Sequence, residues 1–155
     1  MAANDKEMHI LIVGARFYED LADELLAGAC DFLSGHNISF DEVKVPGVFE
    51  IPAAISMAYQ AQKKYNEHHY DGYVALGCVI RGETSHYDYV CQTSAEGLNN
   101  LAMQHALPVG NGILTVENET QAWARASRQQ LNKGGAAAAA CLSMIHLKNY
   151  YNGNY

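Results

Sequence analysis

The feature that most constrains this chain is a rhythm in which four short apolar runs alternate with stretches of helical spacing. The first run, His9-Ile-Leu-Ile-Val13, ends at Gly14 and has the unbroken apolar character of a strand buried on both faces. Over residues 19–33, Leu21, Leu25, Leu26, Ala29, Phe32 and Leu33 recur at helical spacing, with Gly35 as the expected stop. Residues 38–45 alternate partly, as a second strand broken by Pro46-Gly47. A helix is expected over 52–65, since Pro52 is tolerated in a first turn. The cycle then repeats with a strand over 73–79, a loop over 81–86 and a helix over 88–105. The fourth strand spans 112–116, and helices are expected over 119–130 and 133–147. Residues 1–8 and 150–155 read as flexible tails.

Strands and helices alternating in units of roughly 30 residues imply parallel strands joined by right-handed crossovers. The expected fold is α/β: a three-layer α/β/α sandwich around a central four-stranded parallel sheet, flavodoxin-like in architecture. At 155 residues the chain suits a single domain over 1–155. Ligands of such sheets sit beyond the carboxyl ends of the strands. The segments after Val13, Val45, Val79 and Val116 are therefore expected to meet around one site.

A net charge of −7 opposes a nucleic-acid footprint, which requires clustered Lys and Arg to displace counterions. No apolar run approaches the roughly 20 residues needed to span a bilayer. Before Ile10 there is no apolar run that reads as a secretory signal, so a cytoplasmic setting is the expectation. Cys30, Cys78, Cys91 and Cys141 are isolated in sequence, and neither a disulfide nor a zinc site is expected of them.

Neither G-x-G-x-x-G nor G-x-x-x-x-G-K-[ST] follows the first strand, where the chain reads Gly14-Ala-Arg-Phe17. Phe17 at that turn either stacks on a planar ligand or caps the end of the core. In Val45-Pro-Gly-Val-Phe-Glu-Ile-Pro52, two prolines fix an irregular loop whose backbone could read a polar heterocycle; the alternative is a rigid turn with Glu50 near a helix N-terminus. Gly82, Thr84 and Ser85 precede a helix and suit an anion such as phosphate. His86 beside them is placed to move protons near neutrality, against the plainer reading of a half-exposed helix-start histidine. A Cys78 thiol activated by His86 is a weaker alternative, since no oxyanion hole is marked. Arg125 and Lys133 are the candidate phosphate cations, or else solvated helix residues.

Taken together, Ala15-Arg-Phe17, Val45-Pro-Gly-Val-Phe-Glu-Ile-Pro52, Leu76-Gly-Cys-Val-Ile-Arg-Gly-Glu-Thr-Ser-His-Tyr-Asp-Tyr-Val90, Gly112-Ile-Leu-Thr-Val-Glu-Asn118 and Asn132-Lys-Gly134 resemble the lumazine synthase family, in the family's order. The resemblance implies a cofactor-free transferase of riboflavin biosynthesis. It would condense 5-amino-6-ribitylaminouracil with 3,4-dihydroxy-2-butanone 4-phosphate, releasing phosphate and water. It further implies that Phe17 stacks on the pyrimidine and that Val48, Phe49 and Glu50 bind its edge and ribityl chain. Cys78, Val79 and Ile80 would line the same pocket. Glu83, Thr84, Arg125 and Lys133 would hold the phosphorylated substrate, and His86 would transfer protons.

The family builds its site between neighbouring subunits of a homopentamer. Between Arg125 and Lys133 this chain reads Ala-Ser-Arg-Gln-Gln-Leu-Asn and lacks the glycine-rich turn of shell-forming members. That departure favours a free pentamer or a dimer of pentamers over an icosahedral shell. Asn111 stands where many members carry an aromatic that closes over the ring, and Tyr18 replaces the usual Asn. A non-catalytic flavin or lumazine carrier and an archaeal-type riboflavin synthase share the scaffold and are the alternatives.

Overall fold

The computed structural model describes residues 7–67 and 69–153. Strands β1 (His9–Ala15), β2 (Ser39–Val45), β3 (Gly72–Ile80) and β4 (Val109–Val116) form one parallel sheet in the order β2-β1-β3-β4. Between and after them run α1 (Glu19–Gly35), a 3-10 turn at Val48–Glu50, α2 (Ile51–Tyr65), α3 (His86–His105), α4 (Glu119–Ala126) and α5 (Lys133–Tyr151).

The alternation of side chains along each strand sorts the helices into two layers. Ile10 and Ile12 point to one face, where Leu25 of α1, Ala122 of α4 and Cys141 of α5 bury against them. Leu11 and Val13 point to the other and pack with Ile51 and Ile55 of α2 and Leu98 of α3. The expected three-layer α/β/α sandwich is thus the observed one. None of the helices among the described residues is long and apolar enough to cross a membrane.

Several boundaries differ from the sequence reading, each for an identifiable reason. β4 starts at Val109, before the expected 112, because Gly110 and Asn111 are poor strand formers that nonetheless pair with Val74 and Ala75. α4 stops at Ala126 instead of continuing to 130. The turn that follows is pulled toward α1 by Arg128, whose backbone N–H donates to Glu24 at 2.8 Å and whose guanidinium donates to Asp31 at 3.0 Å. That backbone hydrogen bond is the main cause holding the Glu24 carboxyl below its ordinary pKa, with the Arg128 side chain assisting. The expected stop at Gly35 falls inside the last turn of α1, and Asn37, at φ 55°, supplies the left-handed residue. α3 begins at His86, two residues early, and α5 runs on to Tyr151, into the stretch expected to be a tail. The rest of the expected tails, 1–6 and 154–155, lies outside the described residues.

One close approach holds β4 against α5. A Cβ on Gly110 would collide with the carbonyl of Ala137, a backbone group that cannot rotate away. Gly110→Ala is therefore expected to lower stability by about 3 kcal/mol, the upper range for overpacking. Urea denaturation measures it, and a loss below about 0.5 kcal/mol would contradict the packing described.

Candidate active site

β1 pairs with β2 on one side and β3 on the other, so the crossovers leave it in opposite directions and open a crevice at its carboxyl end. Gly77 brings the walls of that crevice together. A Cβ there would sit 2.6 Å from Val48 Cγ2 and 3.2 Å from the Ala15 Cβ, so only glycine lets β3, the end of β1 and the Val48 turn meet. The Arg16 N–H, donating to the Val45 carbonyl at 3.0 Å, ties the first two strand ends. Above them lies a cleft of about 620 Å³, a size that suits a small organic ligand.

Most of the residues singled out from the sequence line this cleft. Phe17 stands at its rim, 74% exposed, with its ring held edge-on by Tyr18 at 4.9 Å and 81°. At that exposure the ring does not cap the core, and its face is open to the cleft. Across from it the turn of Val48, Phe49 and Glu50 forms a second wall, with Phe49 59% exposed and Val48 buried beneath. The Glu50 carboxylate accepts the Gly47 N–H at 3.1 Å, and the Glu50 N–H donates to the Gly47 carbonyl at 3.2 Å. The turn is thereby fixed by its own hydrogen bonds and also lines the cleft. Cys78, Val79 and Ile80 supply the floor.

Thr84 and His86 close the remaining side. His86 is the first residue of α3, and its N–H donates to Thr84 Oγ1 at 3.3 Å. Ser85, at the cap position, makes no side-chain cap bond. The imidazole is exposed to solvent at the mouth, within a site that also presents polar backbone and apolar rings.

Besides Ser85, four expected site residues do not line this cleft. Glu83 lies on the exposed loop before α3. Asn111 is on the exposed face of β4, where its Oδ1 accepts the Ile113 N–H at 3.0 Å. Arg125, in the last turn of α4, donates to the Gln121 carbonyl at 3.0 Å, and Lys133 opens α5. Within one chain the cleft therefore has a ring shelf and an imidazole, while Arg125 and Lys133 are elsewhere on the surface.

Burial pushes the Cys78 thiol up to about 11, with Cys91 adding to the shift. A neutral thiol is a poor nucleophile. No group of three His, Cys, Asp or Glu among the described residues is arranged to hold a metal ion.

The sequence reading missed three members of the cleft. Pro46, Tyr87 and Val90 also line it, and Tyr18 contributes its ring as well as its place in the chain. Tyr87 was legible only in retrospect, as the inward-facing member of the aromatic pair flanking Asp88.

A family model described as 6,7-dimethyl-8-ribityllumazine synthase matches residues 7–149. Among similar curated proteins, 6,7-dimethyl-8-ribityllumazine synthase 1 of Rhizobium meliloti is 55% identical over 94% of this chain and 95% of its own length. The 6,7-dimethyl-8-ribityllumazine synthase of Bartonella bacilliformis is 53% identical over 94% of this chain and 93% of its own. That of Agrobacterium fabrum is 53% identical, with 94% and 97% covered. With the family's fold, and with a match running through every element that builds the cleft, this chain belongs to the 6,7-dimethyl-8-ribityllumazine synthase family.

Proposed function

We propose that the chain is a transferase of riboflavin biosynthesis that condenses 5-amino-6-ribitylaminouracil with 3,4-dihydroxy-2-butanone 4-phosphate to give 6,7-dimethyl-8-ribityllumazine. The observation that carries this is the convergence of an open aromatic shelf, Phe17, and a proton-transfer group, His86, on one cleft at the strand ends. The pyrimidine stacks on Phe17, and the Val48–Glu50 turn reads its polar edge and ribityl chain.

The substrate amine attacks the ketone, and loss of water gives a Schiff base. That step requires protons to be delivered and removed at the reacting oxygen and nitrogen, which is the role assigned to His86. Attack of the ribitylamino nitrogen on the second carbonyl, with loss of a second water, closes the ring after elimination of phosphate, which needs the dianion held by donors and a cation. The Thr84 hydroxyl and the backbone N–H groups before α3, that of Glu83 among them, supply one side of that hold. Arg125 and Lys133 supply the charge from an adjacent copy of the chain, because they do not reach the cleft of their own. A cyclic homopentamer, free or paired, presents each cleft to a neighbour's β4 and α4, and Asn111 then faces the bound ring from that neighbour. The nucleophile is the substrate's own amine, so the protein needs none. Holding both reactants together replaces a bimolecular encounter and accounts for much of the acceleration.

The direct test mixes purified protein with both substrates and follows the fluorescent lumazine; a rate no faster than the spontaneous condensation refutes the proposal. His86→Gln is expected to cut kcat by about 100-fold, the scale of general acid–base catalysis, with KM changed far less. Cys78→Ala should leave kcat within about threefold, since a thiol that stays protonated is not the nucleophile. A loss comparable to that of His86→Gln would restore Cys78 to the chemistry. Asn111→Phe should tighten product binding by about fivefold through an added ring contact, read by fluorescence titration. Unchanged product affinity would show that position 111 does not face the ring.

A further inference from the structure

We propose that Arg81 is a positioning residue, which fixes the first turn of α3 against the ends of β3 and β4 and so holds the His86 imidazole at the cleft. The inference rests on the role assigned to His86 above.

Arg81 directly follows β3, and its backbone N–H donates to the Val116 carbonyl at the end of β4 at 2.9 Å. Its side chain then makes three further connections. Nε donates to Glu117 at 2.8 Å, just beyond β4. The two terminal nitrogens donate to the two oxygens of Asp88 at 3.3 and 3.2 Å, a bidentate pair within the first turn of α3. The guanidinium also lies 4.2 Å from the centroid of the Tyr87 ring. The residues it grips, Tyr87 and Asp88, are the two that follow His86. One planar group thus clamps the imidazole's own helical turn to two strand ends.

Beyond Arg81, that turn is tied to the sheet by the Tyr87 hydroxyl, hydrogen-bonded to Thr115 of β4, and by the buried Val90, while its N-terminal end has little support of its own. The cap residue Ser85 makes no side-chain bond, residues 81–86 are all exposed, and a Cβ on Gly82 would meet open space. The Thr84 hydroxyl accepts the His86 N–H at 3.3 Å, a contact within the loop that does not reach the sheet. Arg81 is therefore the side chain that joins the start of α3 to both strand ends.

The same contacts exclude the reading that position in the chain most invites. Arg81 lies one residue before an anion-suited loop, yet Asp88 and Glu117 occupy its fork and its Nε, and together outweigh its charge. A phosphate dianion approaching it would meet two carboxylates. Exposed ion pairs contribute little to stability, so the consequence of the clamp lies in geometry. An imidazole displaced by an ångström loses catalytic effect while the fold persists.

The test is a double-mutant cycle between Arg81→Gln and His86→Gln in the condensation assay. Arg81→Gln is expected to lower kcat by about 10-fold or more, with KM for the butanone phosphate within about threefold and the thermal midpoint within about 3 °C. In the His86→Gln background the same change should cost less than about twofold, because the group being positioned is gone. Fully additive losses, or a rise in KM with kcat intact, would overturn the proposal. Arg81→Lys keeps the charge but cannot span both carboxylates, so it should fail to restore kcat; full restoration would mean that charge alone is required.

An unmodified chain that is inactive in the condensation would defeat the functional reading and not this one. The His86 ring resonance, identified by its loss in His86→Gln, then decides: it should shift or broaden in Arg81→Gln. An unchanged resonance would overturn the clamp.

Discussion

A parallel sheet sends every strand's carboxyl end to the same edge, and the rest of this molecule depends on how closely those ends approach. Gly77 sets that distance. With no side chain between Val48 and Ala15, the turn after β2 lies against β3. The Phe17 turn follows directly from the end of β1. Open ends would give a shallow groove; closed ends give a cleft large enough for a fused heterocycle. Everything assigned to the site, from the ring shelf to the imidazole, is attached to this edge.

The surface of the isolated chain is informative in the same terms. Phe17 and Phe49 leave most of their area in water, at the expense of the hydrophobic effect, beside a core in which Ile10, Ile12 and Leu25 are fully enclosed. Apolar area held open at a cleft is area available to a ligand. β4 shows a similar asymmetry. Gly110, Gly112, Leu114 and Val116 are buried under one helical layer, while Asn111 and Thr115 on the opposite face are exposed. In the proposed shared site that exposed face is where a neighbour's cleft docks, which also brings Arg125 and Lys133 toward a phosphate.

Much of this was legible in the residues. The centre of the sheet could be read because β1 and β3 are unbroken apolar runs of the buried-parallel kind, and α1 because Leu21, Leu25 and Leu33 repeat on one stripe. β2 was legible from its breaker Pro46-Gly47, although the strand is largely solvent-facing at Asp41, Glu42 and Lys44. What escaped depended on tertiary contacts. The start of β4 is hidden by Gly110, whose reason is a helix packed on it, and the end of α4 by Arg128, whose partners on α1 are far away in sequence. The loop after Val45, the Phe17 turn and the His86 segment were recognisable as motifs. Arg81 was not, because nothing in the sequence pairs it with Asp88 and Glu117, which only the fold brings to its guanidinium.

The central claim is that one chain provides the ring shelf and imidazole and another provides the phosphate cation. Subunit complementation tests it most directly. His86→Gln and Arg125→Ala variants, each inactive alone, are unfolded together, refolded as a mixture and assayed for condensation. A shared site predicts recovery of activity to about one quarter of the unmodified rate, since random mixing in a ring restores an intact His86–Arg125 pair at about that fraction of junctions. If the mixture stays as inactive as its components while forming mixed oligomers, each chain contains its whole site and the account is wrong.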